Sequence, residues 1–512
     1  MRSREWPEIR RRPDCVSQRI SRSLLNRGVG RRLRSTSFRF QLPHQLFMRQ
    51  IRNHMKDLTQ GSVTKHLLQM SAFMVVSMVA QTLYLLLDMY WVAHLGKEAI
   101  AAVGVAGSIT MIVVALTQML GVGATTLISQ AAGRKDQQHA ELAFNQSFVM
   151  SLLVGLGLGI CAFGLMNWYC DTFTADSVTA SLAKSYLIWF IPALILQFPL
   201  ISMGSALRAT GIVQPTVILQ LLSVIINAVL APFLILGIGF PRMGVGGAAL
   251  ATFIAILAAD VLLFVYFEKN YHYLRFRSAQ FRPQMKMWWA MLRIGLPAGA
   301  EFVLLFFYMA LVYKIIVGFG PAAQAGFGLG ARLMQALFLP VVALSFAVSP
   351  MVGQNFGGRK ADRVRHSIYA GLAIATALMA ALATITWSVP NAMIRIFSND
   401  PQVIAFGRDY LTIVAFNFVA AGIVFTVSSV FQGLGNTVPP LISSAMRLLL
   451  FALPAFWLSR TPNFDIKYVW YLSVASQVLQ ACFNLLLLRR ELHRKLRFEE
   501  GPDFVAASAT AS

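Results

Sequence analysis

The feature that most constrains the fold is a series of apolar runs that recurs from about residue 63 to residue 488. Each run has roughly 20 residues, the length at which an α-helix crosses the hydrocarbon core of a bilayer. Hydrophobic residues make up 57% of the chain and charged residues 13%, whereas a soluble domain is about a quarter charged. Short alternating segments, which would indicate a β-barrel, do not occur. The sequence therefore predicts an all-α polytopic membrane protein.

The apolar runs can be placed as about twelve transmembrane helices, at residues 63–92, 98–130, 138–165, 183–207, 213–238, 246–268, 287–317, 322–350, 364–388, 403–431, 437–458 and 466–489. Arg and Lys residues concentrate in the loops after even-numbered runs and in the C-terminal tail. Loops of this kind stay on the cytoplasmic side of a membrane. The pattern predicts an even number of spans, with both termini in the cytoplasm.

Residues 1–54 form a basic, Arg- and Ser-rich extension without an apolar run of signal-peptide length. Three interpretations compete: a basic arm near anionic lipid, an organelle transit peptide, or sequence upstream of a true start at Met55. We favour Met55, because the composition changes abruptly there, and we expect the extension to be disordered. The net charge of +23 lies largely in this extension, the loops and the tail, so we predict no nucleic-acid partner.

The chain repeats internally, with identical residues 224 positions apart at corresponding ends of the runs. The pairs are Gly96 and Gly320, Gly104 and Gly328, Gln130 and Gln354, Gly133 and Gly357, Tyr186 and Tyr410, Leu187 and Leu411, Gly211 and Gly435, and Pro215 and Pro439. Six spans per half make the repeats parallel, with a site expected at or near their interface. We predict two pseudo-symmetric six-helix lobes around a central cleft: an N-lobe at 55–270, a linker at 271–286, a C-lobe at 287–490 and a basic tail at 491–512.

Two matching segments, LISQAAGRKDQQHAE (127–141) and MVGQNFGGRKADRVRH (351–366), connect spans in the two halves. Glycine permits sharp turns, so we predict that the chain turns on glycine in both. The basic residues would hold each turn at the cytoplasmic face. We assign these segments a structural role.

The first apolar run carries one acid, Asp88. A charged side chain inside a span costs roughly 3 kcal/mol on insertion scales and is retained mainly where it faces water, a partner or a transported ion. Gln81, Tyr84 and Asp88 follow an i, i+3, i+7 pattern, which places them on one helix face. We predict that this face is a protonatable polar stripe that points into a cavity, where Asp88 would face water, a partner or a transported ion.

The sequence offers no catalytic or metal-binding constellation. The four cysteines and eight histidines show no ligand spacing, and neither HExxH nor a nucleotide-binding loop occurs. We therefore predict that the protein is not an enzyme and has no catalytic residues, metal or cofactor. An ion gradient is then the more plausible energy source than ATP.

The whole of residues 55–495 resembles the MATE family, multidrug and toxic compound extrusion, and within it the DinF-like bacterial branch. The resemblance is carried by LTQGSVTKHLLQM (58–70), TLYLLLDMYWVAHLG (82–96), NAVLAPFLILGIGFPRMGVGGAALAT (227–252), VGQNFGGRKADR (352–363) and FQGLGNTVPP (431–440). It implies export of small organic, often cationic, compounds in exchange for H+ or Na+. It also implies a bacterial inner-membrane location, and we expect a monomer.

The resemblance assigns ion-coupling roles residue by residue. Asp88 stands at the position of the family's first-helix coupling Asp, Asn227 at a fifth-helix Asn and Thr252 at a sixth-helix Thr of the same cluster. Four residues after that Asn the family pattern has Asp, and this chain has Ala231. Hard cations want several oxygen ligands, whereas burial of a single carboxyl favours its protonated form. We therefore expect H+ rather than Na+ as the coupling ion.

Four further polar residues are candidates for the site. Gln220 shares a helix face with Asn227, and Asp260 either reaches the same cluster or snorkels towards water. Glu301 and Arg332, in the second half, either form a buried ion pair or line the substrate cavity. The sequence does not decide between these alternatives.

The function expected from these observations is a secondary active exporter that works by alternating access. Protonation of Asp88 would alter the polar network with Tyr84 and Asn227 and so bias the N-lobe between two states. The alternative is a flippase for a lipid-linked saccharide. Its cavity would need several cationic residues for a pyrophosphate, whereas the candidate cavity charges here are few and mixed.

Overall fold

A computed structural model describes residues 55–497 apart from 238, 240, 462 and 463. The predictions for residues 1–54, and most of the predicted tail, lie outside the described residues. The described part is built of the helices α1 Val63–Ala93, α2 Lys97–Gly133, α3 Gln137–Phe173, α4 Ser177–Ala209, α5 Gln214–Leu236, α6 Val245–Lys269, α7 Met285–Ile316, α8 Pro321–Gly357, α9 Ala361–Ser388, α10 Pro390–Arg395, α11 Pro401–Val414, α12 Asn417–Leu434, α13 Val438–Leu458 and α14 Ile466–Lys495. Twelve candidate spans among them are long and apolar enough to cross a membrane. The predicted all-α polytopic class is confirmed.

The helix bounds reproduce the 224-residue repeat. Shifting α2, Lys97–Gly133, by 224 residues gives the bounds of α8, Pro321–Gly357. The same shift places α4 over α11 and α12 together, and α5 over α13. Helices α1–α6 form the N-lobe and α7–α14 the C-lobe, so the prediction of two pseudo-symmetric lobes is confirmed.

Polar caps explain where several helices begin. Ser62 accepts a hydrogen bond from the Lys65 amide at the start of α1. Asp136 caps α3 and Asp176 caps α4 in the same way. A side-chain oxygen at this position satisfies a helix N–H that has no partner inside the helix. The loops therefore fix the first turn of each of these spans.

The tenth predicted span, 403–431, is not one helix. It breaks between α11 and α12, where the Phe416 amide donates to Ile413 and the Phe418 amide to Ala415, tightening the backbone to i→i−3 bonds. The side chain of Asn417 donates to Ser473 Oγ of α14 at 3.3 Å. This polar contact fixes the chain at the break.

The lobes contact each other where α2 and α8 cross, near residues 133 and 357. We call the end of the molecule that carries residues 133–137, 209–214, 269–285 and 357–361 the basic end. Gly133 packs on the main chain of Gln354, and Gly357 packs on the main chain of Gln130. A Cβ at either glycine would collide with these main-chain atoms, so only glycine permits this approach.

Two glutamines related by the repeat bond across the lobes at the basic end. Gln130 Nε2 donates to the Gly433 carbonyl at 2.9 Å. Gln354 Nε2 donates to the Ala209 carbonyl at 2.8 Å. Each side chain leaves its own lobe and binds the last turn of a helix in the other lobe. The same type of hydrogen bond, from a glutamine side chain to a main-chain carbonyl, therefore joins the two lobes twice at the crossing.

The prediction that the chain turns on glycine after α2 and α8 is wrong. The left-handed residues of the two turns are Lys135, with φ 61°, and Arg359, with φ 54°. A non-glycine residue pays roughly 1–2 kcal/mol for this conformation. The Lys135 amide donates to Ala132 and the Asp136 amide to Ala131, which offsets part of that cost. The glycines serve the close approach of the helices instead.

The segment at 55–61 ties the two lobes together at the basic end. The Lys56 amide donates to the Thr210 carbonyl of the N-lobe at 3.0 Å. The Leu58 amide donates to Gln354 Oε1 of the C-lobe at 2.9 Å. Arg363 also donates to the Leu58 carbonyl at 3.2 Å. This short segment therefore bonds to both sides of the lobe crossing.

The connection between the lobes is fastened to α3. Glu141 forms an ion pair with Arg277 at 2.7 Å and accepts the Arg275 amide at 3.2 Å. Gln146 Nε2 donates to the Arg282 carbonyl at 2.8 Å, and its Oε1 accepts the Gln284 amide at 2.9 Å. The connection therefore follows the N-lobe closely up to the first residue of α7.

Candidate functional site

The first candidate residue, Asp88, lies in the last two turns of α1, five residues before Ala93. Its side chain is buried, with 7% of the residue exposed. The oxygen Oδ1 accepts no hydrogen bond from the described residues. A buried carboxylate without a partner is costly, whereas the neutral acid can be accommodated. The position therefore suits a carboxyl that takes up and releases a proton.

A hydrogen-bonded network lies one helical turn from Asp88. The Tyr84 hydroxyl donates to Thr252 Oγ1 of α6 at 2.7 Å. Asn227 Nδ2 of α5 lies 3.4 Å from both the Tyr84 hydroxyl and Thr252 Oγ1. The structure thus brings four of the predicted site residues, from three helices, to one place. A change of charge at Asp88 would act directly on this network.

The remaining N-lobe candidates lie apart from the network. Gln81 is exposed and lies about 10 Å along α1 from Asp88, at seven residues of about 1.5 Å each. The prediction of a shared helix face holds, but that face of α1 is uncovered at the level of Gln81. Gln220 is partly buried, at a similar distance from Asn227 along α5. Ala231, one turn beyond Asn227, is fully buried among apolar side chains.

Tyr186 of α4 was missed as a site residue. It is buried, and its hydroxyl interacts electrostatically with Asp88 and Tyr84. The sequence carried a signal, since Tyr186 recurs at Tyr410 in the repeat. A tyrosine retained in both lobes can belong to a cavity wall as well as to the packing.

Asp260 is a second buried acid of the N-lobe, 8% exposed, and neither of its carboxyl oxygens has a partner among the described residues. It lies eight residues after Thr252 on α6, about 12 Å along the helix axis. The structure therefore places it nearer the basic end, apart from the network of Tyr84, Asn227 and Thr252.

Glu301 lies halfway along α7 in the C-lobe. Its carboxylate accepts a hydrogen bond from Ser428 of α12 at 2.9 Å and from Ser444 of α13 at 3.2 Å. Gln480 of α14 donates to the same Ser444 hydroxyl at 3.0 Å. Two helices thus hold the Glu301 carboxylate by neutral hydroxyl groups, and α14 supports one of these hydroxyls through Gln480.

Arg332 does not pair with Glu301 in the part of the chain that the structure describes. Its side chain is exposed on α8, while the Glu301 carboxylate is held by Ser428 and Ser444. Of the two alternatives for these residues, the buried ion pair is therefore wrong for this conformation. A role in the cavity stays a prediction.

Arg447 was overlooked, although it is the tenth of 21 residues in α13. Its guanidinium lies 4.4 Å from the centroid of the Tyr308 ring, and its Nε is buried without a partner among the described residues. A cation–π contact stabilises by about 0.5–2 kcal/mol, against roughly 3 kcal/mol for an Arg in the middle of a span. The stacking alone does not offset the burial.

Metal-ligand chemistry finds no support in the described part of the chain. No group of three or more His, Cys, Asp and Glu residues there could hold a metal ion. The described cysteines, Cys161, Cys170 and Cys482, are free. The polar clusters are built of hydroxyl, amide and isolated carboxyl groups.

Comparison with known proteins gives matches along most of the chain. The sequence model of the MatE family matches residues 74–233 and 297–458, one stretch in each lobe. A probable multidrug resistance protein of Bacillus subtilis is 27% identical over 420 residues, 81% of this chain and 90% of that protein. An FAD transporter of Shewanella oneidensis is 25% identical over 78% of this chain and 89% of its own length.

The fold also matches solved structures. One is the outward-facing conformation of a multidrug resistance MATE family transporter of the MOP superfamily, with a TM-score of 0.80 and 22% identity. The match covers 86% of this chain and 99% of that one. This likeness in structure extends over both lobes.

Proposed function

The chain belongs to the MatE family, and from this premise we propose that it is a secondary active exporter of small organic compounds, driven by exchange for H+. The cleft between the two lobes opens alternately to the two sides of a bacterial inner membrane. The relatives named as multidrug proteins support organic cargo, and the basic end is taken as cytoplasmic because it carries most loop Arg and Lys residues. The chain would act as a monomer, with both termini in the cytoplasm.

The observation that carries this proposal is the isolated, buried Asp88 beside the network of Tyr84, Asn227 and Thr252. A proton on Asp88 removes a charge from an apolar setting, and its loss restores the charge. The hydroxyl and amide groups one turn away would then reorient towards the carboxylate. The two protonation states therefore favour different arrangements of α1, α5 and α6.

Na+ is the less suitable coupling ion for this site. A hard cation needs several oxygen ligands, and Asp88 brings the single carboxylate of its cluster. The turn beyond Asn227 offers Ala231, which is fully buried in apolar contacts. A proton needs only the one carboxyl, so the ligand set favours H+.

The test of the function is exchange in proteoliposomes loaded with ethidium, an organic cation. An imposed pH gradient should drive ethidium towards the acidic compartment, and protein-free liposomes should show no such movement. A Na+ gradient at equal pH on both sides should have little effect. Accumulation driven equally well by Na+ would contradict proton coupling, and movement independent of both gradients would contradict secondary active export.

Glu301 is proposed as a cargo-binding carboxylate of the C-lobe. Replacing Glu301 by Gln should weaken the binding of an organic cation about tenfold, because a charge-assisted contact is lost while the shape is kept. Dye titration of the purified protein measures this. The control is Glu98→Gln, which removes an acid paired with Lys97 at the start of α2 and should leave the binding unchanged. Equal weakening of a neutral analogue would contradict a charge-specific role.

A further inference from the structure

The repeat relates a second polar cluster in the C-lobe to the network around Asp88. Adding 224 takes Tyr84 to Tyr308, and the same shift takes Thr252 to Ser476 and Tyr186 to Tyr410. The position of Asp88 becomes Val312, so the acid is lost. The position of Ser223 becomes Arg447, so a base is gained. The two clusters therefore share hydroxyl positions, but the N-lobe cluster carries an acid and the C-lobe cluster a base, at different positions of the repeat.

The Arg447 guanidinium faces the interior of the C-lobe. It stacks on Tyr308, whose hydroxyl is 2.8 Å from Ser473 Oγ of α14. The Tyr410 hydroxyl of α11 interacts electrostatically with Arg447 and Tyr308. The Arg447 guanidinium thus lies against the Tyr308 ring, next to a polar cluster that α7, α11 and α14 contribute.

The positive charge of Arg447 has no counter-charge among the described residues, since it takes part in no ion pair there. Glu301 lies on the neighbouring helix, but its carboxylate is held by Ser428 and Ser444. Asp409 pairs with Arg408 at 2.8 Å and with Lys467 at 3.2 Å. Stacking on Tyr308 is the contact of this guanidinium in the middle of a span. Its buried N–H group has no hydrogen-bond acceptor among the described residues.

We infer that Arg447 binds the carboxylate or phosphate group of an organic solute in the C-lobe. Guanidinium groups recognise both anions through paired N–H donors, and the tyrosine hydroxyls add further donors. Ser444, which donates to Glu301, lies one turn before Arg447 on α13. A solute that carries both an amine and an anionic group would therefore meet a complementary charge at each end.

This inference deepens the proposed exporter function and rests on it for the direction of transport, but the binding step can be tested alone. The probe is one xanthene dye in two forms, the free carboxylate and its ethyl ester, which differ by a single negative charge. Fluorescence titration of the purified full-length protein in detergent gives the Kd of each form.

In Arg447→Gln, the Kd of the carboxylate form should rise about tenfold or more, because a charge-assisted pair is lost. The ester should bind within about twofold of its wild-type Kd, since it offers no anion to the guanidinium. Arg447→Lys should recover part of the loss. The matched control is Arg460→Gln. It removes an exposed arginine that lies two residues after the end of α13 and stacks on Phe456 at 4.0 Å.

Equal weakening of both dye forms in Arg447→Gln would show a structural role and overturn the inference, as would no change in either. Titration of the purified protein with chloride distinguishes a site for an inorganic anion from a site for an organic carboxylate. Chloride binding that is lost in Arg447→Gln while carboxylate-dye binding persists would also overturn it. Selective binding of the carboxylate form without gradient-driven transport would instead contradict the exporter function and leave the anion site standing.

Discussion

Asp88→Asn is expected to abolish ethidium export driven by a pH gradient, to less than about a tenth of the wild-type rate. Asn has the shape of the neutral acid, so the variant should fold and still bind cargo. The Asn side chain cannot take up or release a proton, so the N-lobe keeps one charge state. The pH gradient can then no longer shift the equilibrium between the two conformations. Proteoliposomes with an imposed pH gradient measure the driven flux, and dye titration measures the cargo affinity that should persist.

Two variants locate this effect within the N-lobe. Tyr84→Phe removes only the hydroxyl that donates to Thr252 at 2.7 Å, and we expect a partial loss of driven flux. Asp260→Asn, a change at the other buried acid of the lobe, should keep the flux within about twofold, because Asp260 lies apart from the network.

Full pH-driven export by Asp88→Asn would overturn the coupling assignment. Loss of cargo binding in the same variant would instead indicate damage to the lobe.

The fold could be predicted largely from the sequence because its strongest signals are long-range and redundant. Apolar runs of span length fixed the helices, and one constant offset of 224 residues related the halves. The break between α11 and α12 could not be predicted in this way. It depends on Asn417 reaching Ser473 of a distant helix, a tertiary contact inside an otherwise uniform apolar run.

The site could be predicted where the family resemblance named positions. Asn227 and Thr252 were assigned on that ground, Asp88 also as the lone acid of its apolar run, and the structure gathers all three with Tyr84. Helix periodicity alone placed Gln81 on the same face as Asp88. It did not predict that Gln81 is exposed, because periodicity carries no information on which helices cover a face. Arg447 could have been predicted as a candidate site residue from the sequence, since a lone base in the middle of a span is as informative as a lone acid.

Gly133→Ala and Gly357→Ala are each expected to prevent full closure of the lobes at the basic end and to lower export at least tenfold. The added Cβ meets main-chain atoms of Gln354 or Gln130, which a side-chain movement cannot relieve. Overpacking of this kind costs typically 1–3 kcal/mol. A cost of about 2 kcal/mol borne by the closed state alone shifts a two-state equilibrium roughly 30-fold. Spin labels at the exposed Gln138 and His366 would report a longer distance across the basic end.

The strain falls on one conformation only, because the crossing of α2 and α8 must separate when the cleft opens to the basic end. The matched controls are Gly104→Ala on α2, where a Cβ would meet nothing within 4 Å, and Gly328→Ala on α8, where the nearest atom is the Tyr313 hydroxyl at 3.8 Å. Both should keep wild-type transport and label distance. Normal closure and transport in Gly133→Ala would show that the lobes need no such approach. Unfolding of both variants, seen as loss of cargo binding, would place the glycines in stability rather than in the conformational cycle.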